Sequence, residues 1–378
     1  MRKRILISPN SYKECADSVT IAELMRNNLS ILKNTELITK PVSDGGDGFL
    51  NVCRFYFGGE IRKYPISTAY NESKFECPVL YCESKKEIYI ESAEVVGLKV
   101  IPISYRNPLK LSSKGLGEIL LKIREETLNN TLNVERVFIG IGGTATIDMG
   151  IGMLSILGLS LLDSSGYEFN VIPDNYSLAK RFDYKPVKFP FEIIPIVDVN
   201  NTLFGEKGGI RVFGQQKGVD EKNIVIFEKS FNHLLNLFEN NSLRVYSNLL
   251  SGAGGGIPAA FQIFFDISLI QSSDFIKDHL GLKNYLVDVD HLITGEGAFD
   301  AQSNFGKGAG ILVELFKEQA KSIFLVCGRI SKKNVIHLPK NVYPIEISDY
   351  FFNQDESITN YKEGIEKACK EIIKELNF

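Results

Sequence analysis

The sequence predicts an α/β protein in which a parallel-sheet domain is interrupted by a second α/β domain with a mixed sheet. Short apolar runs alternate with helix-spaced segments at both ends of the chain, the pattern of strand-loop-helix units. From about Gly59 to Val100 the periodicity changes to two, as in KFECPVLYC and KEIYIESAEVVGL. The length of 378 residues exceeds the size at which a single hydrophobic core keeps growing. The shift near residues 59–70 and the return of alternation near 285 place the domains at 1–66 with 285–378, and at 67–284.

Taken in order, Ile5 to Ser8 is a short strand ending at Pro9, and Ile21, Leu24, Met25 and Leu29 give one helical face between Ser18 and Leu32. Leu37 to Val42 is a second strand, followed by a helix marked by Phe49, Leu50, Cys53 and Phe57. Period-two segments then form sheet up to Val100, and Gly115 to Asn129 is helical. Val137 to Ile141 and Glu192 to Val199 read as buried strands, Gly150 to Leu162 as a buried helix, and Asn223 to Phe238 as a helix. The last part alternates: helix at Ser273 to Leu280, strand at Val289 to Thr294, helix at Gly308 to Gln319, strand at Ser322 to Cys327, and an amphipathic helix from Ser357 to Leu376.

Glycine-rich clusters, four of the five with carboxylates, follow most of these strands: PVSDGGDG (41–48), GIGGTATIDMG (140–150), VDVNNTLFGEKGG (197–209), SGAGGGIP (251–258) and ITGEGAFDAQSNFGKG (293–308). Glycine admits backbone N–H groups close to an anion, while neighbouring carboxylates and lysines hold metal and phosphate oxygens. One such loop is most often a tight turn with a solvated Asp. Five of them favour a shared polyanion site. Lys13 and Ser11 lie past the first strand, where ligands bind in open α/β sheets; Ser11 suits either a donor to ligand or, more commonly, a helix N-cap.

Asp44 and Asp47 bracket Gly45 and Gly46, a loop suited to Mg²⁺ with phosphate or to a simple turn. Gly142, Gly143 and Thr144 are small enough for close approach at a helix start, and Asp148 can cap that helix or serve a metal. Asp198 ends an apolar strand, a rigid support for a general base or metal ligand. Lys217 suits phosphate oxygens, Gly254 and Gly255 a close backbone approach. Glu296 and Asp300 are spaced by a glycine-containing turn, and Lys307 stands between two glycines. Because Gly308 follows Lys307, this is no Walker P-loop.

Composition narrows the partners. With 44% hydrophobic and 24% charged residues the chain reads as a globular, soluble protein, and 43 basic against 46 acidic residues without a basic block disfavour nucleic acid and membrane surfaces. Six scattered cysteines without a CxxC pair read as reduced thiols in a cytoplasmic protein. The start MRKRILISPN has too short an apolar run for a secretory signal. The four histidines show no metal-ligand spacing, and no GxSxG elbow is present.

The ordered set PNSYKE, PVSDGGDG, IGIGGTATIDMGIGMLSILG, VDVNNTLFGEKG, VFGQQKG, SGAGGGIPAA and ITGEGAFDAQSNFGKG resembles the type I glycerate kinase family over nearly the whole chain. That resemblance implies ATP-dependent phosphorylation of D-glycerate to 2- or 3-phosphoglycerate with Mg²⁺, in a cleft between a flavodoxin-like domain and an inserted α/β domain, and a monomer or homodimer. With it, Asp198, then Asp300, is the candidate base, Lys307 and Lys217 neutralise phosphate, Lys13 orients the substrate carboxylate, and Asp44 with Glu296 holds Mg²⁺. The chain departs from the family pattern at Asn10, where an acid is common, at Ile147 and Met149 in place of Asn and Gly, and at Ala298 in place of Arg. These departures leave two alternatives open, a kinase for another small hydroxy acid and a non-catalytic ligand sensor.

Overall fold

The fold, taken from a computed structural model, is described for residues 2–300, 308–331 and 338–376. The strands in chain order are β1 (Lys3–Ile7), β2 (Thr35–Thr39), β3 (Glu60–Ser67), β4 (Lys74–Cys82), β5 (Glu87–Glu91), β6 (Arg136–Ile141) and β7 (Leu159–Leu162). They continue with β8 (Arg181–Tyr184), β9 (Glu192–Val197), β10 (Ile270–Gln271), β11 (His291–Phe299), β12 (Ser322–Ile330) and β13 (Val342–Glu346). The chain divides into two compact units, Met1–Tyr56 with Gln271–Phe378, and Phe57–Ile270. The crossing falls before β3 because that strand pairs antiparallel with β4 along its whole length and so belongs to the second sheet. The expected limits at 66 and 285 therefore lie later than the structural ones.

In the first unit five parallel strands are ordered β13-β12-β11-β1-β2. By rank this is the 2-1-3-4-5 order of flavodoxin-like sheets, whose switch point lies between β1 and β11. Ile5, Ile7, Ile293, Phe324 and Val326 face the Ser18–Leu29 and Tyr361–Leu376 helices, while Leu6, Leu292 and Leu325 are buried on the opposite side. Burial on both faces explains why these strands read as unbroken apolar runs. Asp17 starts the Ser18–Leu29 helix, its Oδ1 accepting from the Thr20 N–H at 2.9 Å; such a cap contributes about 1 kcal/mol. Ser11, the expected cap, is not the one used.

The second unit has a six-stranded sheet ordered β10-β9-β6-β5-β4-β3, in which β5, β6 and β9 run parallel and β3, β4 and β5 antiparallel. A separate β7/β8 hairpin lies outside it. The apolar stretch 150–162 is therefore not one helix: it is helical at Ile151–Ile156, and Gly158, at φ 101°, turns the chain into β7. Similarly, Ser92–Val96 leaves the sheet and forms a short helix, and the closing helix is split at Asn360.

The largest departure from the expected elements lies in ITGEGAF, which is strand throughout rather than a turn after Thr294. Pairing with β12 continues to Ala298↔Arg329 and Phe299↔Ile330. Glycine permits it: a Cβ on Gly295 would lie 1.5 Å from the Val326 carbonyl oxygen and 2.6 Å from the Tyr12 hydroxyl. Gly295→Ala is accordingly expected to cost about 3 kcal/mol through forced displacement of packed backbone, lowering the urea midpoint; an unchanged midpoint would show that the two strands separate freely here.

Candidate functional site

At the carboxyl edge of the first sheet, the loops after β1, β2 and β11 are tied together by backbone and side chain. The Asn10 N–H donates to the Gly295 carbonyl at 2.8 Å, and the Val42 N–H donates to the Pro9 carbonyl at 3.0 Å. Asn10 is buried at 4% exposure, and its Nδ2 donates to Asp44 Oδ2 at 3.3 Å. An acid at position 10 would face Asp44 as a second carboxylate; Asn10 replaces that repulsion with a donor. Glu296, on β11 next to Gly295, is also buried, and the place a Cβ on Gly308 would take lies 2.1 Å from its Oε2. Asp44 and Glu296 thus lie at one edge, linked through Asn10 and Gly295.

Tyr12 anchors the loop that carries Lys13. Its hydroxyl donates to the Val326 carbonyl at 2.5 Å while the ring is 2% exposed, and Tyr12 and Ala16 exchange backbone hydrogen bonds that close the loop. Burial, with the nearby Cys327 and Glu296, pushes the Tyr12 phenol far up, so it stays a donor. Lys13 is exposed at the loop tip, and Ser11 is half-buried with its N–H donating to Asn10 Oδ1 at 2.8 Å. Gly45 and Gly46 do not present an open nest: their N–H groups donate to Ser43 Oγ and Asp44 Oδ1, both at 3.2 Å. Asp300 is exposed just past β11. Lys307 lies outside the described residues.

In the second unit β6 is flanked by β5 and β9, and both neighbours end in a carboxylate. Glu91 closes β5 opposite Gly140, and Asp198 follows the Ile141↔Val197 pair. Both are buried, at 2% and 8% exposure. The loop of Gly142, Gly143 and Thr144 leaves β6 between them. The Ser92 hydroxyl donates to the Gly142 carbonyl at 3.0 Å, and the Ala145 N–H donates to the Val96 carbonyl at 2.8 Å. Lys99 Nζ lies 3.0 Å from Glu91 Oε1 and 2.6 Å from Glu94 Oε1. Burial alone would lower its ammonium, and the two carboxylates instead hold it above the ordinary range.

Lys217 is buried and points into this loop, donating to Thr144 Oγ1 at 2.9 Å and to the Thr146 carbonyl at 3.0 Å. Asp148 is fully buried. It accepts from the Ser113 N–H and hydroxyl, both at 2.7 Å, and from the N–H groups of Gly150 and Gly152 at 3.1 and 3.2 Å. Burial pushes its carboxyl up and these four donors oppose the shift. The helix start expected to receive an anion is therefore filled by the protein's own Asp148. Gly254 and Gly255, at φ 55° and 73°, press on the same loop: a Cβ on Gly255 would lie 2.0 Å from the Thr146 carbonyl oxygen.

The family departures find a place here too. Ile147 and Met149 are core residues at 1% and 0% exposure, Met149 in the left-handed region at φ 55°, so the changes are apolar packing rather than altered lining. Ala298 pairs in register with Arg329, an exposed arginine on β12. Reading along the chain missed Arg329, Glu91 and Lys99. Arg329 is visible only through strand register, and Glu91 has no glycine beside it to mark it.

Carboxylates, lysines and glycine turns gathered at the carboxyl ends of parallel strands, on a flavodoxin-like sheet and on a second mixed sheet, define an enzyme of the phosphoryl-transfer class. A family model described as the glycerate kinase family matches residues 5–377. The chain is 30% identical over 341 residues to a "Glycerate 2-kinase" of Escherichia coli (strain K12), covering 88% of this chain and 87% of that protein. It is 27% identical over 375 residues to a "Glycerate kinase" of Bacillus cereus, with 98% and 97% covered. A crystal structure described as "putative glycerate kinase 2 from Salmonella typhimurium LT2" superposes with a TM-score of 0.77 at 26% identity, covering 99% of this chain and 98% of that one. The chain belongs to the glycerate kinase family and is a phosphotransferase. No described helix is long and apolar enough to cross a membrane.

Replacing Lys217 by Met is expected to leave the Thr144 hydroxyl and Thr146 carbonyl without their buried cation, at a cost of about 1 to 3 kcal/mol. Hydrogen exchange across residues 142–146 should accelerate, whereas unchanged protection would mean that the remaining contacts, from Ser92, Val96, Asp148 and the Gly254–Gly255 turn, hold the loop without Lys217.

Proposed function

We propose that the protein transfers the γ-phosphoryl group of ATP to D-glycerate, forming 2-phosphoglycerate and ADP. The observation that carries this reading is the exit of the Gly142–Thr144 loop between two buried strand-end carboxylates, Glu91 and Asp198, in a chain that matches the glycerate kinase family from end to end. The choice of the 2-position is supported by the name of the Escherichia coli relative.

In this scheme the C2 hydroxyl attacks the γ-phosphorus in line, an oxygen–phosphorus bond forms, and the bond to the β-bridging oxygen breaks as ADP leaves. The hydroxyl proton passes to Asp198. This aspartate suits the task because it sits on a rigid strand end and is almost fully desolvated. Asp300, exposed past β11, is the second candidate. Lys13 orients the glycerate carboxylate. Lys307 neutralises phosphate oxygens, and Lys217 serves the same loop by holding Thr144 in place. Gly142 and Gly143 give the phosphates close backbone approach, Gly254 and Gly255 shape the turn against that loop, and Gly45 and Gly46 shape the turn that carries Asp44.

The donor set fits Mg²⁺. Asp44 and Glu296 offer hard oxygens at one edge, and among the described residues no group of three or more His, Cys, Asp or Glu side chains forms a closed metal cage. Mg²⁺ keeps several waters and takes phosphate oxygens, so two carboxylates are a sufficient protein share. When bound, the ion would offset charge on the β- and γ-phosphates. Arg329, at the position matched with Ala298, supplies the guanidinium that the family pattern carries one strand over.

A coupled ADP-release assay with Mg-ATP and D-glycerate should show turnover, and phosphorus NMR should identify the product as 2-phosphoglycerate. Turnover with a different hydroxy acid but not with glycerate would overturn the acceptor, and binding of glycerate without turnover would replace the kinase with a sensor. Asp198→Asn is expected to lower kcat about 10² to 10⁴-fold with little change in the KM for ATP; a loss confined to KM would make Asp198 a ligand rather than the base. Arg329→Ala should raise the KM of one substrate about tenfold or more, the loss of a charged hydrogen bond, and unaltered constants would remove Arg329 from the site.

A further inference from the structure

A cavity of about 570 Å³ opens in the second unit against the start of β9, at the end of that strand remote from Asp198. Phe189, Phe191, Phe265 and Ile267 form its apolar wall, and Glu192 and Asp266 stand at its rim. The phenylalanines touch one another, with Phe189 centred 5.3 Å from Phe191 and 5.9 Å from Phe265. Its size lies within the roughly 300 to 1,000 Å³ of small-molecule sites. Both carboxylates are exposed, and neither is in an ion pair or side-chain hydrogen bond with a described residue.

Asp266 places a negative charge at a helix stop. The Ile257–Phe264 helix ends here, with the N–H groups of Phe265 and Ile267 both donating to the Phe261 carbonyl, at 3.1 and 3.3 Å. Asp266 is the left-handed residue of that helix stop, at φ 52°, where glycine is the usual choice. A negative charge at the carboxyl end of a helix also opposes its dipole. Aspartate tolerates this conformation, and no described basic group takes up its charge, so the carboxylate faces the cavity rim unneutralised.

We propose that this cavity binds a small organic cation with an apolar or aromatic body. The body fills the phenylalanine-lined wall, and the charge lies over ring faces between Glu192 and Asp266, where aromatic quadrupoles and carboxylates act in the same direction. Within the second unit the site lies at the opposite end of β9 from Asp198, and it stands whether or not glycerate is the acceptor.

The full-length chain is titrated with benzyltrimethylammonium and with neopentylbenzene, its uncharged isostere, by saturation-transfer NMR, alongside Asp266→Gly and Phe189→Ala. Expected are saturable binding of the cation at least tenfold tighter than the isostere, and a loss of tenfold or more for the cation in Asp266→Gly at an equal or higher melting temperature. Phe189→Ala should weaken both probes. Absence of saturable binding, equal affinity for the two probes, unchanged affinity in either variant, or a lower melting temperature in Asp266→Gly would each overturn the proposal, the last by showing that the carboxylate serves the fold.

Discussion

The buried phenol of Tyr12 crosses over a strand that has no side chain at the crossing point, and the first unit depends on that crossing. The hydroxyl reaches the Val326 carbonyl only because Gly295 leaves the space. One contact therefore ties the loop after β1 to β12 with β11 between them, and it does so at the switch point of the sheet. It anchors the loop that carries Lys13, while Asn10 is held by its own N–H to the Gly295 carbonyl and Glu296 by the pairing of β11 with β12. A phenol is well suited to this task, since its ring adds buried apolar surface while its proton is donated to a buried backbone carbonyl. An ionised or missing hydroxyl would remove that donor from inside the sheet.

The second unit reaches a similar end by different means. There the loop after β6 is clamped from three sides: by Lys217 through Thr144 and Thr146, by the Gly254–Gly256 turn against its backbone, and by Asp148 gathering four donors beneath it. Preorganisation of this kind lets a loop meet a polyanion without ordering itself at the moment of binding. It also means that several polar residues which read along the chain as ligand contacts are spent on holding the loop. Asp148 is the clearest case: its carboxylate fills the helix start that would otherwise attract an anion.

Much of the architecture was legible in the sequence because apolar periodicity and glycine punctuation report local constraint directly. Ile5 to Ile7, the face of Met25 and Leu29, and the turn at Ser43 to Gly48 are all written in residues that pack or bend where they stand. Pairing between distant segments is not written that way. Nothing near Glu296 shows that β12 continues beside it to Arg329, so the strand read as a turn, and nothing near Ala298 shows which residue lies alongside. Glycine was ambiguous for a related reason: a residue that admits a phosphate and a residue that admits another piece of backbone look the same, and Gly255 is pressed against Thr146. The left-handed Met149 was equally hidden, because its strain is set by its fold neighbours.

The inserted position of the second unit has a consequence for synthesis of the chain. Phe57–Ile270 is one continuous stretch, whereas β1 must find β11, which is made only after that stretch is complete. At ordinary translation speeds the delay is on the order of tens of seconds. Throughout it the inner edge of β1 lacks its hydrogen-bonding neighbour, an open strand edge of the kind that invites pairing with another chain, whereas β3, β4, β5, β6 and β9 all find their partners within the continuous stretch.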